Sequence, residues 1–210
     1  MGKPAQAVKF RDLIRALEIR TLVETGTLRG RTVETWRKAT LQMRWKSQIH
    51  SIEINDKKFN RASKRFAKRK RIHIHHGSSP DVLSEILDSF KTPTLFWLDA
   101  HFNSTDPLPL RDELATITNG RDVSGDVFLI DDLKMFITDE DEEFEAKEPF
   151  RGERPGGGVQ FLSEILLNHK VLFSRAQNGI AIALPKDLEN PLKFIKKPNL
   201  LFEPDAPSDS

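Results

Sequence analysis

Thr21-Leu22-Val23-Glu24-Thr25-Gly26-Thr27-Leu28-Arg29-Gly30-Arg31-Thr32 is the stretch on which the fold turns. Thr21-Leu22-Val23-Glu24 is short, β-branched and apolar, as a buried strand requires. Gly26 and Gly30 break the pattern, and Thr32 to Leu41 resumes it with helical spacing. A strand that runs through a Gly-containing turn into a helix is the opening βα junction of an α/β sheet. In such sheets ligands bind beyond the carboxyl ends of the strands. Gly26 allows a close approach of backbone to a ligand, and Gly30 allows tight packing where the helix starts. The helix-start amides favour an anionic group.

The same rhythm continues outward. Val8, Phe10, Leu13, Ile14 and Leu17 give a leading helix over residues 8–19. Strands are expected at Gln48–Ile54, Ile72–His76, Thr94–Leu98 and Val127–Ile130, and a final pair at Val171–Arg175 and Gly179–Leu184. Helices are expected over 57–71, with Asp56 as cap, then over 81–90, 108–117 and 159–167. Ser79 followed by Pro80 is a helix-start signal. The expectation is an α/β, Rossmann-like fold: a mainly parallel seven-stranded sheet with helices on both faces. One domain would cover residues 1–190, with 191–210 as a Pro- and charge-rich tail. Residues 137–158 break the rhythm, first acidic and then Pro- and Gly-rich, and read as a lid or insertion.

Composition narrows the function. The 210 residues suffice for one sizeable core. No apolar run approaches the roughly 18 residues of a membrane span, and Met1 to Lys9 lacks the apolar stretch of a secretory signal. With no cysteine there are no disulfides, thiolate nucleophiles or Cys-type zinc sites. A cytoplasmic protein is expected. The net charge of +2 creates no global field for nucleic acid. Lys57 to Arg71 nevertheless holds nine basic residues and no acid, and Asp139 to Glu148 is strongly acidic.

The strand ends carry polar residues in order. Glu24 ends the first strand, beside Gly26, where it would meet the ammonium and carboxylate end of an amino-acid-like ligand. Glu53 ends the second, 27 residues after Gly26, where an acid accepts hydrogen bonds from ribose hydroxyls. Ser78 and Ser79 end the third, placed either to touch an adenine ring or to cap a helix. Asp99-Ala100-His101 ends the fourth, and Asp131-Asp132 the fifth.

Glu24-x-Gly26-x-x-x-Gly30-x-Thr32, then Ile52-Glu53-Ile54-Asn55, then Gly77-Ser78-Ser79 resemble the cofactor site of class I methyltransferases. The likeness is to metal-dependent O-methyltransferases of the catechol and caffeoyl-coenzyme A type and to the macrocin O-methyltransferase group. Thr25-Gly26-Thr27 and Phe96-Trp97-Leu98-Asp99-Ala100-His101 are also similar to small bacterial methyltransferases. The resemblance covers about residues 20–135. It implies S-adenosylmethionine bound by Glu24, Thr25, Gly26, Thr27, Gly30, Thr32, Glu53, Ser78, Ser79 and Asp99. It also implies Mg²⁺ held by Asp99, Asp131 and Asp132, a hard oxygen set that equally suits Mn²⁺ or Ca²⁺. The acceptor would be a small hydroxylated molecule, a sugar or catechol-like diol.

The chain departs from the family at the base. Catechol-type enzymes carry a Lys three residues after the first metal Asp, and Phe102 stands there. His101, Asp99 and Lys134 are the alternatives, with His101 and Asp99 as the catalytic pair expected. Two other readings stay open: an RNA methyltransferase docking through basic helix 57–71, and a nucleotide-binding module. The first is opposed by the amphipathic Phe59, Ala62, Phe66 stripe, which reads as a solvated helix, and by Asp99-Ala100-His101-Phe102 replacing the Asn/Asp-Pro-Pro-aromatic signature. Nucleic acid is therefore not expected as a partner. For the second, Leu28 stands near where a nicotinamide fingerprint keeps Gly. Assembly as a homodimer is left open.

Overall fold

The computed structural model describes residues 8–41, 43–100, 108–136, 158–176 and 178–203. The strands are β1 (Thr21–Thr25), β2 (Gln48–Glu53), β3 (Ile72–His76), β4 (Thr94–Leu98), β5 (Val127–Ile130), β6 (His169–Ser174), β7 (Ile180–Pro185) and β8 (Leu201–Phe202). The helices are α1 (Phe10–Ala16), α2 (Arg31–Thr40), α3 (Asp56–Phe66), α4 (Ser79–Ile86), α5 (Leu110–Gly120) and α6 (Phe161–Ile165). They build one eight-stranded sheet in the order β3-β2-β1-β4-β5-β7-β6-β8. The first five strands are parallel; β7 runs antiparallel to both β5 and β6. The α/β expectation holds, with two-residue β8 added on the outer edge of β6.

Strand alternation sends side chains to two cores. Val23, Ile52, Phe96, Leu98, Phe128 and Ile130 pack with α4, α5 and α6 on one face. Leu22, Ile49, Leu95, Trp97, Val127 and Leu129 pack with α1, α2 and α3 on the other. Trp36 is fully buried there, stacked on Phe10 at 5.8 Å. No described helix is long and apolar enough to cross a membrane.

Several boundaries differ from expectation for local reasons. Asn55, not Asp56, caps α3: its side chain accepts from the Lys58 amide at 3.1 Å. Helix α3 also stops at Phe66 rather than 71. Ala62 and Phe66 are buried, whereas Lys68 to Arg71 are exposed and offer no apolar face to hold a further turn. Ser79 is the first residue of α4 rather than its cap: Ser78 is extended at φ -64 and ψ 135 and takes the cap position, while the Ser79 hydroxyl donates to the buried Glu113 of α5. In the segment read as a tail, Phe194 and Ile195 are buried and Ile195 bridges Val8, so residues 191–203 pack against the body of the fold.

Candidate active site

The strand order reverses between β1 and β4. β2 and β3 lie to one side of β1, and β5 to the far side of β4. This is the topological switch point at which an open α/β sheet leaves a crevice. Gly26 and Asp99 meet there. Gly26 has φ +84, and a Cβ on it would stand 2.5 Å from the Asp99 carbonyl oxygen. Two requirements for glycine, a left-handed φ and a bare Cα, therefore fall on one residue. The Asp99 amide donates to Thr25 Oγ1 at 3.2 Å, which ties the two strand ends together.

The loop beyond β1 is held by its own bonds. Gly26 and Thr27 amides donate to the Ile52 carbonyl at 2.9 and 3.1 Å, and the Gly30 amide donates to the Thr27 carbonyl at 2.7 Å. Leu28, itself at φ +50, donates its amide to Glu53 Oε2 at 2.8 Å. The other Glu53 oxygen accepts the Asn55 amide at 3.0 Å. Glu53 thus anchors the loop, and each of its oxygens keeps a second lone pair for a ligand hydroxyl. Gly30, at φ +64, faces the Phe66 ring, 2.6 Å from where a Cβ would lie. The bare Cα lets the start of α2 pack closely against α3.

Glu24 lies on the α2 face of β1 and is 2% exposed. Its Oε2 accepts from Ser51 Oγ at 2.6 Å, and Ser51 in turn meets Thr27 Oγ1 at 2.7 Å. Thr32 at the start of α2 also bonds to Glu24. Burial pushes the Glu24 carboxyl up to about 8, against the opposing pull of the Ser51 and Thr32 hydroxyls. Ser51 was not singled out by sequence. The available signal was a hydroxyl within the strand Gln48 to Ile54, two residues before Glu53 and so on the same face.

The carboxylates converge at the ends of β4 and β5. Asp99, Asp131 and Asp132 each place an oxygen within 4.8 Å of the others. Asp131 and Asp132 are buried and Asp99 is half-buried. Trp97 Nε1 donates to Asp99 Oδ2 at 3.2 Å. The Asp131 amide donates to the Leu98 carbonyl at 3.1 Å, and Asp131 Oδ1 accepts the Asp132 amide at 2.9 Å. Asp132 adopts φ +56, a conformation Asp tolerates better than most residues, and accepts from Asn178 Nδ2. That turn redirects its side chain beside its neighbour's. Three anionic oxygens this close repel one another in a poorly solvated setting, and a hard divalent cation offsets that repulsion.

Not every expected residue points into the crevice. Thr25 is fully buried and bonds to the Asp99 amide, and the Ser79 hydroxyl is turned to Glu113. Ser78 is half-buried at the start of α4. His101 and Phe102 lie outside the described residues, as does most of 137–158. Lys134 falls in the 3-10 turn Leu133–Met135 beyond the acid pair.

Solved structures share this fold. The S-adenosylhomocysteine-bound methyltransferase PaMTH1 of Podospora anserina is similar with TM-score 0.61 and 17% identity, over 85% of this chain and 77% of that one. The O-methyltransferase TomG of Streptomyces achromogenes, involved in tomaymycin synthesis and solved with S-adenosylmethionine, gives 0.60 and 18%, over 88% and 81%. An O-methyltransferase of Bacillus cereus in complex with S-adenosylhomocysteine gives 0.59 and 16%, over 89% and 82%. The chain has the class I methyltransferase fold. No family model and no curated protein matches the sequence. The fold explains why the polar residues gather at one end of the sheet: its parallel strands β1 to β5 all deliver their carboxyl ends there.

Proposed function

We propose that the chain is an S-adenosylmethionine-dependent O-methyltransferase, assisted by a divalent cation and acting on a small hydroxylated acceptor such as a sugar or catechol-like diol. The observation that carries the reading is the meeting of Gly26 with Asp99 at the switch point, beside the Asp99, Asp131, Asp132 cluster. The close contact of Gly26 with the Asp99 backbone shapes the end of the crevice in which the cofactor would lie. Glu24 takes the ammonium of its amino-acid end, and Glu53 accepts from its ribose. Asp99, Asp131 and Asp132 would hold Mg²⁺ or a similar ion, which when bound lowers the pKa of an acceptor hydroxyl.

The reaction is a displacement at the methyl carbon. The acceptor oxygen forms the new C–O bond as the C–S bond breaks, and the sulfonium becomes a neutral thioether. The acceptor proton passes to Asp99 or His101. Alignment of oxygen, carbon and sulfur supplies much of the rate, so the residues that hold the two ends of the cofactor matter as much as the base.

Two measurements test this. Calorimetry should find S-adenosylhomocysteine bound and NAD not bound; the reverse sinks the reading. Mg²⁺ should raise the melting temperature of the wild-type protein, by about 2.7 kcal/mol equivalent at a hundred times Kd. Asp131→Asn should abolish that shift; if the shift persists, the carboxylates are not the metal site.

A further inference from the structure

A second concave site lies beside the cofactor loop. Arg29 and Arg31 flank Gly30 on the loop and the start of α2, and Arg61 and Arg65 come from α3. Together they line a cavity of about 510 Å³. None of Asp99, Asp131 or Asp132 lines it. Among the described residues no carboxylate forms an ion pair with any of these four guanidinium groups. Glu34, on the next turn of α2, feels Arg65 but is bonded to Arg37 Nε and Nη2 at 2.9 and 2.8 Å.

The four side chains are exposed, so water and salt screen their mutual repulsion, and what the cluster offers an anion is several convergent donors of one charge. The choice of cation is informative too: arginine offers a planar fork that grips phosphate through paired donors, which lysine does not. One of the four is already fixed in place. Arg65 Nη1 donates to the Arg29 carbonyl, and its guanidinium lies 5.0 Å from the centre of the Phe66 ring. That contact joins α3 to the loop and reduces the rotamer freedom lost on binding.

We propose that this pocket binds the diphosphate or triphosphate group of a small molecule. S-adenosylmethionine has no phosphate, so the site is additional to the cofactor's. The concavity is open to solvent on one side, but its four guanidinium groups converge on it from two segments, the loop with the start of α2 and α3, which favours a discrete polyanion over a polymer laid along α3. The inference does not depend on the methyl-transfer reading, and its test uses no turnover.

Titration calorimetry on the full chain at 150 mM NaCl would use tripolyphosphate, pyrophosphate, inorganic phosphate and sulfate as probes. Tripolyphosphate is expected to bind with one-to-one stoichiometry, at least tenfold tighter than sulfate. Arg61→Gln, on the exposed face of α3, should weaken it roughly tenfold or more, from loss of charge-assisted bonds. Lys70→Gln removes the same charge outside the pocket and should leave binding within twofold. Melting temperatures of both variants should match wild type. The proposal is overturned if tripolyphosphate binds no better than sulfate, or if Arg61→Gln and Lys70→Gln weaken it equally. It is also overturned if a single-stranded RNA 20-mer binds and tripolyphosphate does not displace it, since the basic face would then serve a polymer.

Discussion

Replacing Gly26 by Ala tests the junction on which the site depends. The residue has φ +84, so any side chain incurs about 1–2 kcal/mol of backbone strain. The new Cβ would stand 2.5 Å from the Asp99 carbonyl oxygen and 3.1 Å from its carbonyl carbon. Backbone atoms cannot rotate away as the end of a flexible side chain can. The strand ends must therefore open by about 0.9 Å to reach ordinary contact at 3.4 Å, with an overpacking cost of about 1–3 kcal/mol. The bond from the Asp99 amide to Thr25 Oγ1 lies in the same gap and lengthens with it. Together the change should destabilise the fold by about 3 kcal/mol, a fall in Tm of roughly 6–12 °C for a domain of this size. Because Asp99 moves, affinity for S-adenosylhomocysteine should drop at least tenfold and the Mg²⁺-induced shift should shrink. Gly125→Ala is the control: nothing lies within 4 Å of its Cβ, and its Tm should stay within 2 °C. Thermal unfolding and calorimetry on both variants settle the matter. If Gly26→Ala keeps wild-type Tm and cofactor affinity, the close approach of loop and β4 is not what shapes the crevice.

Three further outcomes are expected. Burial holds the Glu24 carboxyl at about 8, so it is largely protonated below that pH, and in the role proposed for it, it must ionise to pair with a cofactor ammonium. Affinity for S-adenosylhomocysteine should rise with pH between 6 and 8, with proton release on binding, and Glu24→Gln should flatten that slope; a slope unchanged in Glu24→Gln would remove Glu24 from the ligand. His50 is pulled from 6.5 to about 3, chiefly by burial, then by His73 and His75; it bonds to His75 at 3.1 Å and packs against Phe90. The unfolded chain therefore binds more protons between those values: stability is intact above pH 6.5 and is lost on acidification, by about 2 kcal/mol between pH 7.5 and 5. Glu24 and Asp126, both raised, act in the opposite sense, so the informative quantity is wild type minus His50→Leu in urea unfolding; a pH-independent difference contradicts the assignment. Finally, Asp126 is fully buried, accepts the Thr94 amide at 2.7 Å and pairs with Arg121 Nε at 3.3 Å. Asp126→Ala leaves Arg121 without that partner and should cost about 3–5 kcal/mol in denaturant unfolding; a loss below 1 kcal/mol would show the pair to be of little weight.

Much of this architecture could be read from the chain alone. Apolar runs such as Thr94–Leu98 and Val127–Ile130 identify buried parallel strands, and the glycines at 26 and 30 mark the first βα turn. Because parallel strands place all their carboxyl ends on one side, residues 24, 53, 99 and 131–132 could be assigned to one region from order and spacing. That is a one-dimensional inference, and it depends on periodicity and turn chemistry that neighbouring residues dictate.

Which atoms face which partner was decided only by tertiary contact. Nothing local in Ser79 shows that its hydroxyl turns to Glu113, 34 residues away, rather than toward a ligand. Glu53 reads as a free strand-end acid, yet it takes the Leu28 amide from a loop 25 residues upstream. Ser51 becomes part of the Glu24 site only because β2 pairs with β1 in the register that sets Ser51 opposite Glu24. The four arginines of the further pocket come from two separate segments, and Arg65 joins Arg29 across 36 residues. Strand order and chain crossing create these distances, and they depend on global packing. The sequence by itself therefore determined the strands, the turn glycines and the set of polar residues at the strand ends. The tertiary structure decided which of those residues support the loop and which converge on a common space.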